Sequence, residues 1–170
     1  MRRLLTFAAL LLPLTGCGYH VAGAAVHLPA DVRTLSVPVF ATRAQNFHTE
    51  FAFTQSVIRE LNTRTRYRVV DGEAPADATL SGTILSETAA PLTYDSSSGQ
   101  TSSYLITITA QVVLTARDGH VLYRNNALSY RDQYQSTQDI GGFLQEDSPA
   151  VQRIARDFAQ SVVSNLLESF

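Results

Sequence analysis

The sequence predicts an α+β domain, a two-layer sandwich with two helices packed on one face of a mainly antiparallel sheet of four to five strands. Three observations carry that expectation. Residues 101–116, TSSYLITITAQVVLTA, alternate apolar and polar side chains from end to end. Two other stretches, 46–64 and 147–170, repeat their apolar residues at three- and four-residue intervals instead. Shorter alternating runs bounded by turn residues complete the order β-α-β-β-β-β-α.

Each element has its own signal. VRTLSVPVF (32–40) sets Val32, Thr34 and Ser36 against Arg33, Leu35, Val37 and Val39, and Pro38 places the strand's end at an edge or bulge. In the first helix, Phe47, Phe51, Thr54, Ile58 and Leu61 form the expected stripe, Val57 widens it, and Asn46 is a suitable cap. RYRVVD (66–71) is a short strand running into Asp71-Gly72, and residues 73–77 are a loop. ATLSGTILSETA (78–89) puts Leu80, Gly82 and Ile84 on one face. In the long strand, Tyr104, Ile106, Ile108, Ala110, Val112 and Leu114 face the core, and Leu105, Thr107, Thr109, Gln111, Val113 and Thr115 face away. Asp118-Gly119 is a hairpin turn signal, so HVLYRNNALSYRDQYQ (120–135) returns beside it. The last helix has Ser148 as cap, Pro149 at its first position, and a stripe of Val151, Ile154, Ala155, Phe158, Val162 and Leu166. The helices cover one sheet face, and the polar face is left free.

The N-terminus points to a compartment. Arg2 and Arg3 precede an apolar run from Leu4 to Leu12, too short for a spanning helix and suited to a secretory signal. The run ends Leu14-Thr15-Gly16-Cys17, which matches a bacterial lipobox, and Cys17 is the chain's single cysteine. In such a sequence the thiol receives a diacylglycerol, the chain is cut before it, and the new amine is acylated. Several chains give stable anchoring, since each buried methylene contributes roughly 0.8 kcal/mol. Gly18 replaces the aspartate that retains enteric lipoproteins in the inner membrane, which favours the outer one. Residues 1–16 are therefore expected to be a signal peptide, 17–31 a lipidated tether and 32–170 one domain.

Composition narrows the function. No disulfide can form within the chain, so packing alone must hold it. Without Arg2 and Arg3, 11 basic residues face 15 acidic ones, a net charge of −4 and no footprint for nucleic acid. Every basic residue is Arg, a planar fork able to hold phosphate through two bonds. His20, His27, His48 and His120 lie scattered without metal-ligand spacing. Neither H-E-x-x-H nor G-x-S-x-G occurs, so a non-enzyme is expected, with no cofactor and no metal. In RTRYR, Arg64, Arg66 and Arg68 alternate. If extended, they form one anion-binding row or a charged edge that resists aggregation. YDSSSGQTSS (94–103) is a polar hairpin tip, either mobile or ordered by a partner.

The succession of GCGYH, LPADVRTLSVPVF, a Phe-rich helix, YRVVD, ADATLSGTI and the Tyr-Leu-Ile-Thr-Ile-Thr strand resembles the LptE family from Cys17 to about Leu167. That family comprises lipopolysaccharide-assembly lipoproteins of the Gram-negative outer membrane. The resemblance implies a two-layer α+β sandwich that plugs the LptD β-barrel, helps assemble it, and assists lipopolysaccharide transport to the outer leaflet. A polar sheet face suits a plug inside a water-lined barrel. It also implies lipopolysaccharide binding, for which Arg64, Arg66 and Arg68 are the candidates here. Enteric members carry basic residues in the hairpin before the long strand, whereas Ser96 to Ser103 has none, so those contacts are not transferred. The alternative function is a lipid-anchored adaptor of another envelope machine.

Overall fold

The structure is a computed structural model that describes residues 32–44, 49–70, 72, 74–94, 96, 99, 101–135 and 149–168. Six strands and two helices follow in the order β1 (Thr34–Ser36), β2 (Ala41–Thr42), α1 (Glu50–Arg64), β3 (Arg68–Val70), β4 (Ala78–Tyr94), β5 (Thr101–Ala116), β6 (Val121–Gln135) and α2 (Pro149–Glu168). The sheet order is β3-β1-β4-β5-β6, with β2 alongside β4. Both helices lie on one face, packed against each other, α1 over β3 and β4 and α2 over β5 and β6.

The expected α+β sandwich is present, but the sheet is mixed and has an additional strand. β1 pairs parallel with β3 and β4, and β2 pairs parallel with β4. The cause is connectivity: α1 carries the chain over the sheet between β1 and β3, and such a crossover returns a strand parallel to its predecessor. The antiparallel part is the long meander β4-β5-β6. The expected first strand is split around Pro38 into β1 and β2, and beyond the break Val39 is 56% exposed while Leu35 and Val37, set on the same side by the alternation, are buried.

The long strand behaves as its alternation requires. Ile106, Ile108, Ala110, Val112 and Leu114 are buried under the helices. Asp118-Gly119 turns the chain, with Gly119 at φ 89°, and the Gly119 N–H donates to the Ala116 carbonyl at 2.9 Å. The predicted stripe of α2 is buried in full. Phe158 sits at its centre, 4.9 Å from the Phe53 ring and 5.8 and 6.1 Å from those of Tyr130 and Phe40.

The stripe of α1 is a correction. Ala52, Phe53, Thr54, Ser56, Val57 and Leu61 are buried, whereas Phe51 is 49% exposed and Ile58 is half-buried. The inward face thus runs Phe53-Val57-Leu61, turned from the expected line because α1 meets both the sheet and α2. Phe47, Asn46 and Ser148 lie outside the described residues. Thr54 is buried yet satisfied: its hydroxyl donates to the Glu50 carbonyl at 2.6 Å and accepts the Phe40 N–H at 3.0 Å. That bond fastens the β1–β2 link to the helix.

Asp77 clasps the opposite end of the sheet. Its carboxylate accepts the Arg33 and Thr34 N–H groups at 3.0 and 2.9 Å, the Thr34 hydroxyl at 2.7 Å and the Arg117 guanidinium at 2.9 Å. The Thr34 hydroxyl, then the two N–H groups, hold its pKa down at about 2, with Arg117 adding to them against a small opposing effect of burial. The folded value lies below the ordinary 3.8, so the clasp is at full strength above about pH 4 and lost as pH falls toward 2. Asp77→Asn is therefore expected to lower the urea midpoint at pH 7 and to flatten the loss of stability between pH 4 and 2. Parallel pH curves for the two proteins would remove this role.

Candidate functional site

The sheet presents two unlike faces. On the helix side, β5 and β6 place Tyr104, Tyr123, Tyr130 and Tyr134 against the core. On the open side the rows across β4, β5 and β6 are Thr88-Thr107-Arg131, Ser86-Thr109-Ser129 and Ser81-Val113-Arg124, with Thr83 beside Gln111. The Thr109 hydroxyl donates to that of Ser129 at 3.5 Å. All of these residues are exposed or half-exposed. Cross-strand partners share a face, so the register places this hydroxyl-lined surface away from both helices.

Charge is segregated between the faces. Glu87 is paired opposite Ile108 and accepts a hydrogen bond from Thr49 just before α1, while Asp132 is paired opposite Ile106 and binds Arg153 of α2 at 2.6 Å. Both acids thus lie on the helix side. Arg124 and Arg131 lie on the open side, and among the described residues neither has an ion-pair or hydrogen-bond partner. Strict alternation would set residues 124 and 131 on opposite faces. A bulge between Asn125 and Leu128 adds one residue to β6 and brings both arginines to the same side.

The Arg row expected from RTRYR is not one extended line. Arg64 ends α1, where its guanidinium binds Glu60 at 3.3 Å and the Ser164 hydroxyl of α2 at 2.9 Å. Arg66 lies in the link to β3, and Arg68 begins that strand at the sheet's edge. Both are exposed, and Arg68 shares the open face with its neighbour Thr34. The helix takes in the first residue of the motif, Arg64, and ends on Thr65, whose N–H and hydroxyl both donate to the Leu61 carbonyl.

Other features offer less chemistry. A cleft of about 590 Å³ between α1 and the β1–β2 link is lined by Val37, Pro38, Val39, Ile58, Val69 and Val70, with Thr54, Gln55, Asn62 and Gly72. Among the described residues no charged group lines it. Among the described residues no cluster of His, Cys, Asp and Glu could hold a metal ion, and no helix is long and apolar enough to cross a membrane. His120 follows the β5–β6 turn, whereas His20, His27, His48 and Cys17 lie outside the described residues. Of the polar hairpin tip, Ser96 and Gly99 are described, with Tyr94 and Thr101 paired below them.

A family model described as LptE, lipopolysaccharide-assembly, matches residues 32–166. The chain belongs to this family. The match spans the described domain almost whole, and the LptE family is one of assembly lipoproteins, not of catalysts. No curated protein matches the chain by sequence. Solved structures show the LptE-like fold in distant proteins. A Xanthomonas campestris protein is 12% identical with a TM-score of 0.57, covering 85% of this chain and 89% of its own. A minor lipoprotein from Acinetobacter baumannii is 13% identical with a TM-score of 0.51, covering 82% and 93%. A PelC dodecamer from Paraburkholderia phytofirmans is 16% identical with a TM-score of 0.52, covering 82% and 92%. At such identities the likeness is one of fold alone.

Proposed function

We propose that this LptE-family chain is an outer-membrane lipoprotein that plugs and helps assemble an LptD-type β-barrel and assists lipopolysaccharide transport to the outer leaflet. The family match over residues 32–166 carries the reading. A sheet with one polar face turned away from both helices supports it, because a plug must present wettable surface to a water-lined lumen. Cys17, carrying diacylglycerol and an N-acyl chain, anchors the domain to the membrane on its periplasmic side. Cys17→Ala is expected to leave an unprocessed precursor or a released chain. A mature chain from native membranes that starts elsewhere, or lacks acyl mass by mass spectrometry, would overturn the anchor.

The experiment that tests the function is affinity capture from native membranes in mild detergent. A stoichiometric barrel partner is expected, whereas a different envelope assembly would replace this reading with the adaptor function. Glycolipid contact is assigned to Arg64, Arg66 and Arg68. Arg66 and Arg68 are exposed and unpaired among the described residues, and Arg64 would have to leave Glu60 and Ser164. Charge-assisted bonds to phosphate are about twice as strong as neutral ones. A triple Arg→Gln variant is expected to keep its barrel and lose lipopolysaccharide in a direct binding assay. Unchanged affinity would remove the three residues from the site.

A further inference from the structure

Among the described residues, Arg124 and Arg131 are the two unpaired charges on the open face of the β4-β5-β6 meander, and no carboxylate on those strands shares that face. Asp77, just before β4, is already held by Arg117. The bulge in β6 is what puts both arginines there, about 20 Å apart along the strand. The face between them is hydroxyl-lined, and among the described residues no helix or strand covers it. Over Leu105–Thr115, where β5 is paired on both sides, the three strands present on the order of 500 Å². A standard interface buries about 800 Å² per partner.

We propose that this face docks against a polar protein wall bearing carboxylates, which Arg124 and Arg131 meet at two separate points. The proposal rests on the reading that the partner is a β-barrel, and it adds the docking face, the two residues and the chemistry of the wall. Two observations favour a protein wall over a phosphorylated glycan. The tyrosines of β5 and β6 turn to the helix side, so that over Leu105–Thr115, between and around the two arginines, no ring lies on this face for a sugar to stack on. The two arginines are too far apart to grip one phosphate together, and a small anionic group is held by convergent donors. Isolated charges on a broad polar surface suit an extended interface, where they fix register and speed encounter.

The test uses the full chain and the barrel isolated by capture with it. Association of the two is followed from low to high salt for the native chain, for Arg124→Glu/Arg131→Glu, and for Arg156→Glu, an exposed position on α2. The double reversal is expected to slow association at least tenfold at low salt and to abolish or invert the salt dependence, while Arg156→Glu behaves as native. Should the double reversal fail to fold, Arg124→Gln/Arg131→Gln is measured in its place, with about a threefold slowing expected. Native kinetics in a folded variant would overturn the proposal. So would native barrel kinetics together with lost lipopolysaccharide binding, which would give the face to a phosphorylated glycan. A native chain that captures no barrel rejects the proposed function itself, and the docking face with it.

Discussion

Phe158→Ala is expected to cost the domain about 3–5 kcal/mol, the usual loss for a fully buried aromatic. The side chain is wholly buried at the centre of the α2 stripe, and three rings surround it. Phe53 comes from α1, Phe40 from the β1–β2 link and Tyr130 from β6, so the ring joins both helices to the sheet. Truncation leaves a cavity that these groups cannot close together, because each is held by its own backbone. Natural domains have only about 5–15 kcal/mol of net stability, so the variant should sit near its unfolding threshold. Phe51→Ala is the matched control. Its ring is 49% exposed, and it should cost less than about 1 kcal/mol. Urea unfolding followed by circular dichroism measures both. A loss under about 1 kcal/mol for Phe158→Ala would mean that its ring is not the joint between the layers.

That contrast shows where the sequence was legible. The alternation in 101–116 has one solution, because every second residue is apolar and the strand is buried on one side. The stripe of α2 is similarly unambiguous, since small and polar residues fill its outer face. In α1, both Phe51 and Phe53 are available, at 200° from each other on the helix, and periodicity alone does not choose between them. The choice is made by α2, which draws Phe53 toward Phe158 at 4.9 Å. The parallel pairing of β1 and β3 was implicit in their separation by a helix, but three-residue strands carry too little pattern to announce their neighbours.

The open face was legible as polar and not as cationic. Its hydroxyls follow from the alternation of β4 and β5. The placement of Arg124 and Arg131 depends on the extra residue between Asn125 and Leu128, which reverses the parity of β6 and which no local signal marks. RTRYR failed for the opposite reason. Alternation there was real in the sequence, yet α1 extends through Arg64, and helical geometry removes the row. In both cases the position of a charge was decided by where an irregularity in the backbone fell.

Gly82→Ala is expected to destabilise the domain by about 3 kcal/mol, toward the upper end of the usual cost of overpacking. Gly82 lies on the buried face of β4, and a Cβ there would meet the Phe40 ring at 2.3 Å. Phe40 has little room to retreat. It is 2% exposed, its N–H is held by the Thr54 hydroxyl at 3.0 Å, and its ring abuts Phe158 at 6.1 Å. The sign of the effect is diagnostic. Without the clash, alanine in a strand would stabilise by about 0.4–1 kcal/mol through the unfolded chain, because it restricts that chain more than glycine does. Phe40→Leu alone should cost stability by leaving space beside Phe158. In the Gly82→Ala background the same change should be nearly neutral or restorative, because the new methyl occupies the space the ring gives up. The double variant should therefore lose at least about 1 kcal/mol less than the sum of the singles, a coupling within the range for residues in contact. A stabilising Gly82→Ala, or strict additivity with Phe40→Leu, would show that the ring does not rest on this glycine and that some other contact fixes the β1–β2 link on the core.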